Sequence, residues 1–237
     1  MNIDILTTKE NRVVRAMHNR WRKWRTASHY RGLSVADAFS TIYRSHSWGS
    51  LDDRPFCSGD GSTREDAVGP YCEKVRAFIE DHGIKHVVDL GCGDFQVGSR
   101  LIQSDIHYTG VDVVPDLVRY NQQRFGSLNV AFRCGNIIDD DLPPGELCLV
   151  RQVLQHLSNQ QISKTLKSLR RYQYVIVTEH VYAGPGLRRN RDKPQGPGTR
   201  IPRRSGVFVE SSPFNCAAHM LLEVSLAKDE VLRTVVI

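Results

Sequence analysis

The sequence contains no apolar run of transmembrane length, no CxxC cysteine pair and no internal repeat. A membrane-spanning helix needs about 20 consecutive, mostly apolar residues, so none is expected. Six cysteines (Cys57, Cys72, Cys92, Cys134, Cys148 and Cys216) stand far apart. That spacing argues against a structural zinc site or a disulfide scaffold and fits free thiols in a reducing cytoplasm. The first residues, MNIDILTTKE, lack a secretory pattern, so a cytoplasmic location is expected. Asp139, Asp140 and Asp141 precede Leu142-Pro143-Pro144 and read as a solvated turn, so no metal site is expected.

What is present suits a soluble folded chain of 237 residues, 40% hydrophobic and 24% charged, able to bury a sizeable core. The net charge of +6 suggests a nucleic-acid or membrane partner at first sight. Its distribution says otherwise. Residues 9–31 hold eight Lys/Arg against one acid and residues 187–204 hold seven against one, leaving −7 for the remainder. The chain is a mildly acidic body with two basic appendages.

In the first appendage Val13, Val14, Met17, Trp21 and Trp24 recur at helical spacing among arginines. Such a helix suits docking on the domain, which is commoner, or peripheral contact with an anionic membrane surface. Nucleic-acid contact stays open but is not favoured. A second helix, SVADAFSTIYRSH, has Ser34 as its N-cap, and a polar connection, LDDRPFCSGDGSTRED, follows.

From residue 66 the pattern becomes regular. A helix closes at Gly83, and HVVDL, HYTGVDVV, LNVAF, LCLV and YVIVTEH recur as short apolar runs. Helix-like segments VGSRLIQS, PDLVRYNQQRF and SNQQISKTLKSLRRY separate them. This alternation reads as an α/β doubly wound, mostly parallel sheet. The tail, MLLEVSLAKDEVLRTVVI, reads as an antiparallel hairpin around Lys228-Asp229-Glu230. The second basic appendage lies in a Pro/Gly-rich stretch, 183–206, that is neither helix nor central strand. It reads either as a mobile lid whose arginines hold an anionic acceptor or as a disordered, solvated loop.

The chemistry concentrates in HVVDLGCGDFQVGSRL, an apolar strand ending near Asp89, followed by Gly91 and Gly93. Glycines there let the backbone turn sharply and a ligand approach it closely. Asp112 ends the next strand, where a carboxylate can accept both hydroxyls of a ribose, so the pair reads as a nucleoside-type cofactor site. A dinucleotide site wants a third glycine beneath its pyrophosphate, whereas Asp94 and Phe95 follow here. Asp94 would repel a pyrophosphate but not a cationic amino-acid end, which points to S-adenosylmethionine (SAM) rather than NAD.

VVDLGCGDF, GVDVVPDLV, FRCGNIID and LVRQVLQHLS, in this order and spacing, resemble the class I SAM-dependent methyltransferases over about residues 66–237. More narrowly, SGDGST, LGCGDF, VDVVPDLV and QHLS resemble an uncharacterised group of small bacterial class I methyltransferases, some associated with glycan or metabolite pathways. The resemblance implies a Rossmann-like methyltransferase domain at 66–237, preceded by a helical extension and cofactor-covering loop at 1–65. It implies methyl transfer from SAM to a small-molecule or glycan acceptor, at oxygen. Asp89, Gly91, Cys92 and Gly93 would line the methionine end, and Asp112 would hold the ribose. Val113 and Val114 would flank the adenine, with Asn136 and Ile137 at its edge. Arg151 and Gln152 complete the cofactor set.

An alcohol acceptor needs a base near the transition state. His156, just after the fourth strand, is the first candidate, with His180 and Glu179 next at the end of YVIVTEH; a structural role for His156 is the competing reading. No [DN]PP[YFW] motif and no Pro-Cys nucleophile is present, which weakens the alternative of a nucleic-acid methyltransferase. A SAM-binding regulatory or scaffold protein without catalysis is the other alternative.

Overall fold

The strands form because their residues are β-branched or large and apolar, and the central ones are buried almost continuously because both faces of the sheet are covered there. The computed structural model describes residues 30, 32–50 and 54–237. The basic helix expected over 9–31 therefore lies, Tyr30 apart, outside the described residues, and with it the expected membrane or nucleic-acid contact.

Seven strands make one sheet: β1 (His86–Leu90), β2 (His107–Asp112), β3 (Val130–Cys134), β4 (Leu147–Arg151), β5 (Tyr174–Tyr182), β6 (His219–Ala227) and β7 (Glu230–Val236). Their order is β3-β2-β1-β4-β5-β7-β6. The first five are parallel, and β7 joins β5 and β6 antiparallel. The doubly wound sheet with a C-terminal hairpin is as the sequence pattern indicates.

Helices α1 (Val35–Arg44), α2 (Asp60–Thr63) and α3 (Glu65–Asp81) precede the sheet, and α4 (Pro115–Phe125) and α5 (Asn159–Leu169) connect its strands. Their ends follow local chemistry. The Ser34 hydroxyl accepts from the Asp37 amide at 3.1 Å, satisfying one of the free donors at the start of α1. Pro115 occupies the first turn of α4, where no amide is needed. Ser158 and Gln161 form a reciprocal capping box on α5. Phe39, Ile42 and Tyr43 of α1 bury against Val88, Leu90 and Val150 on one face of the sheet, while Tyr71, Val75 and Ile79 of α3 pack with Val87, Leu147 and Ile176 on the other.

Two expectations change. VGSRLIQS forms no α-helix; only Gly98–Arg100 makes a 3-10 turn. The chain here is drawn against the sheet, with Phe95 at φ 63° and Gly98 so close that a Cβ would lie 2.3 Å from the Tyr108 hydroxyl. The stretch 183–206 is neither a free lid nor a solvated loop. Asn190, Lys193, Gln195, Arg200 and Ser205 are buried, and the Asn190 amide donates to the Phe208 carbonyl at 2.8 Å. Among the described residues no helix is long and apolar enough to cross a membrane.

Candidate functional site

A cleft opens at the carboxyl ends of β1, β2 and β4. β1 pairs with both β2 and β4, so this is the point where the winding of the sheet reverses and where open α/β sheets bind ligands.

Its floor is the turn after β1. Gly91 (φ 74°) and Gly93 (φ 55°) both adopt left-handed conformations, and a Cβ on Gly91 would sit 2.4 Å from Val153. Asp112 braces this turn, its two oxygens accepting the amides of Gly93 and Val114, each at 3.1 Å. Asp89 accepts from the Tyr108 hydroxyl at 2.6 Å. Burial pushes both carboxyls up to about 6, because a low-dielectric site disfavours the ionised form.

A strap from upstream covers the turn. Ser58 and Asp94 bond reciprocally, the Ser58 amide to the Asp94 carboxylate at 3.1 Å and the Asp94 amide to the Ser58 hydroxyl at 2.9 Å. Tyr43 reaches the same hydroxyl at 3.0 Å. Further along, Arg151 donates to the Gly61 carbonyl at 2.8 Å and lies over the Tyr71 ring at 4.9 Å. Asp94 therefore fastens the strap, which sequence reasoning did not foresee. Tyr43, Ser58, Phe39 and Trp48 also line the cleft; the apolar face of α1 and the small residues of SGDGST were the available signals.

Asp89, Gly91, Cys92, Gly93, Asp112, Val113, Asn136, Ile137, Arg151, Gln152 and His156 all line this one cleft. Val114 does not; it is buried in the core at the start of α4. Asn136 faces the cleft with its amide already engaged, accepting from Ile138 at 3.1 Å and donating to Asp139 at 2.9 Å.

The catalytic candidates divide. Glu179 and His180 do not line the cleft, because β5 runs on to Tyr182, paired throughout with β7. Both residues are mid-strand rather than at the sheet edge. Glu179 instead accepts the amides of Leu154 and Gln155 at 2.8 and 2.9 Å, and burial raises its carboxyl to about 8. His180 pairs with Glu230 at 2.9 Å. His156 does line the cleft, but burial foremost, then the Lys193 charge, hold its imidazole down to about 3. It is neutral through the physiological range. Its Nε2 lies 3.3 Å from the Gln155 amide nitrogen, which also donates to the Gln152 carbonyl at 3.3 Å. The ring therefore accepts at Nε2 and carries its proton on Nδ1. It has the position of a general base without the proton affinity.

The turn carrying His156 is held from both sides. Opposite Glu179, the fully buried Arg200 donates to the carbonyls of Leu154 (3.2 Å), Gln155 (2.9 Å), Leu157 (2.8 Å) and Arg191 (3.2 Å), and to the Asn159 side chain (3.1 Å). The expected anion-binding role does not fall to this arginine. Asp139 pairs with Lys164 and Asp141 with Arg171, while Asp140 accepts the Asn136 amide.

A nucleoside with an ammonium end fits these residues. Two buried carboxylates face the cleft, and the Nε of Arg151 is buried there without a partner. Both carboxyls sit above the 3.8 of a free aspartate, so their contribution to stability is complete below that value and is lost as pH rises through about 6. A ligand that bonds to the ionised acids gains over the same interval. SAM affinity is expected to rise between pH 5 and 7, read by calorimetry; a flat profile would remove the two acids from cofactor binding.

Residues 87–173 match a family model described as a methyltransferase domain. No curated protein matches the sequence. Among solved structures, the N-methyltransferase NodS from Bradyrhizobium japonicum WM9, in complex with S-adenosyl-L-homocysteine, is 13% identical (TM-score 0.58) over 82% of this chain and 97% of that one. Human N-acetylserotonin methyltransferase, in complex with SAM, is 14% identical (TM-score 0.54) over 86% of this chain and 59% of that one, so this chain spans little more than half of it. The methyltransferase domain of bacterial CtHen1 is 18% identical (TM-score 0.51) over 73% and 97%. Fold and matched segment define the class: an α/β enzyme domain built on a Rossmann-like methyltransferase sheet. Residues 87–173 are thus similar to a methyltransferase domain, carried on a sheet with the Rossmann-like methyltransferase fold.

Proposed function

We propose that the enzyme transfers a methyl group from SAM to a small-molecule acceptor, at oxygen. The observation that carries this reading is the juxtaposition of Asp89, the Gly91–Gly93 turn and Asp112 in one cleft at the switch point of the sheet. Bound SAM supplies an electrophilic methyl on a sulfonium, whose transfer disperses charge and needs no oxyanion hole. The chain's own residues hold and shield. Asp112 takes the ribose hydroxyls, Asp89 and the glycine turn the methionine end, and Val113 and Ile137 the adenine. The Ser58–Asp94 clasp and the Arg151–Gly61 bond keep residues 58–61 over the site and exclude water. Alignment of acceptor and methyl is the main contribution, up to ~7–11 kcal/mol.

Titration calorimetry with SAM and with NAD tests the reading, followed by assay for S-adenosylhomocysteine across phenolic, glycosyl and phosphorylated acceptors. SAM is expected to bind and NAD not to. The reverse would end the proposal, and binding without turnover of any acceptor would leave a scaffold. Because His156 stays neutral, the pH–rate profile should show no limb near the usual imidazole value.

A further inference from the structure

The strap between α1 and α3 is fastened at two points, on the turn after β1 and on the end of β4. At the first, one hydroxyl serves as a hub. Ser58 Oγ accepts the Asp94 amide at 2.9 Å and bonds the Tyr43 hydroxyl at 3.0 Å, while the Ser58 amide donates to the Asp94 carboxylate at 3.1 Å. The fit is close, since a Cβ on Gly93 would lie 2.4 Å from Ser58 Oγ. At the second point Arg151 donates to the Gly61 carbonyl at 2.8 Å. Ser58, Gly61 and Ser62 line the same cleft as Asp89 and Gly91. A ligand end seated on Asp89 and the glycine turn is therefore bridged by residues 58–61.

The two sides of this fastening differ in how they are held. Tyr43 and Asp94 are buried, Tyr43 in the core cluster beneath α1. None of residues 58–63 is buried, and α2 starts without a side-chain cap. Few buried apolar contacts and exposed backbone bonds mark an element that opens at low cost. Gly59, at φ 86°, supplies a backbone joint beside Ser58. Lifting the strap strands no bare charge, because the Gln96 side chain keeps donating to the Asp94 carboxylate at 2.6 Å.

We infer that residues 58–61 are a gate, latched by Ser58 on Asp94 and Tyr43, which unfastens to admit SAM and to release S-adenosylhomocysteine. The inference rests on the methyltransferase reading above. A gate and a fixed wall predict different kinetics. Loosening a gate speeds entry and exit alike and leaves affinity nearly unchanged, whereas loosening a wall speeds exit alone and weakens binding in proportion.

The experiment is stopped-flow binding of S-adenosylhomocysteine to the full chain, followed by tryptophan fluorescence. The observed rate for the wild type is expected to level off with rising ligand concentration, at the rate of strap opening. Ser58→Ala removes two of the three latch bonds and should raise both that plateau and the dissociation rate by about tenfold, the order expected for two hydrogen bonds. The Kd from calorimetry should stay within threefold. Tyr43→Phe removes one bond and should give a smaller rise in both rates. A wild-type rate that stays linear in ligand concentration would overturn the inference. So would a Ser58→Ala plateau equal to that of the wild type, or faster dissociation with affinity lost in proportion. Should Ser58→Ala fail to fold, the wild-type concentration series and Tyr43→Phe decide. Failure of the wild-type chain to bind S-adenosylhomocysteine would instead count against the methyltransferase reading itself.

Discussion

Replacing Arg200 with methionine is expected to lower stability by about 3–5 kcal/mol, the usual consequence of removing one member of a buried charged network. For a chain of this size that is a fall in Tm of roughly 10 °C. The side chain is fully buried and its guanidinium joins four backbone carbonyls and the Asn159 oxygen. Methionine fills similar volume but donates nothing, and each buried acceptor left without a partner costs about 1–3 kcal/mol. Local relaxation and entry of water keep the total below the simple sum. Burial lowers the guanidinium to about 10, so it remains charged at neutral pH.

The effect on activity should follow from where those carbonyls lie. Leu154, Gln155 and Leu157 belong to the turn that presents Gln155 and His156 to the cleft. Loosening it should reduce kcat more than it raises the KM for SAM, because the cofactor end is braced separately by Asp112 and Asp94. Arg200→Lys keeps the charge but not the planar fork, and should fall between wild type and methionine. Urea denaturation and steady-state kinetics read both effects. A methionine variant that melts within 2 °C of wild type, at unchanged kcat, would show that the guanidinium positions nothing.

The turn at the switch point of the sheet was legible because its determinants are local. Asp89, Gly91, Gly93 and Asp112 sit at strand ends fixed by apolar runs, and a turn of that kind folds much the same wherever it occurs. Ser34 and the halt at Gly83 were readable for the same reason. What failed depended on distant partners. VGSRLIQS has apolar residues at helical spacing, but the hydroxyl of Tyr108 and the ring of Phe95 hold Gly98 too close to the sheet for a helix to form. Glu179 and His180 looked like edge residues because nothing in YVIVTEH reveals that a strand 50 residues later pairs alongside and extends it. Arg200 sits in a stretch whose composition says solvent, yet its partners are carbonyls more than 40 positions earlier. Side-chain composition cannot report a backbone acceptor. Nor could the roles of Phe39 and Trp48 be read locally, since they meet His156 from over 100 residues upstream.

Asp112→Ala should weaken SAM binding by about 10²–10⁴-fold. A hydrogen bond to a charged group contributes about 1.5–3 kcal/mol, and two ribose hydroxyls on one carboxylate give about 3–6 kcal/mol, or two to four decades in Kd. The same oxygens accept the Gly93 and Val114 amides, so part of any loss will come from a looser turn. Unliganded stability separates the two contributions. The Asp112 carboxyl is raised to about 6 by burial, so at pH 7 it is ionised against its environment and has lost the stability it contributes when protonated. Alanine removes that burden while forfeiting the two amide contacts, and the opposing changes should leave the unliganded Tm within a few degrees of wild type. The rise in Tm on adding saturating SAM, which follows RT ln(1 + [L]/Kd), should then collapse. Asp112→Asn retains one oxygen acceptor and should lose less affinity than alanine. An alanine variant that binds SAM with wild-type affinity would refute the ribose assignment, and a large drop in unliganded Tm with affinity preserved would make Asp112 a brace for the turn alone.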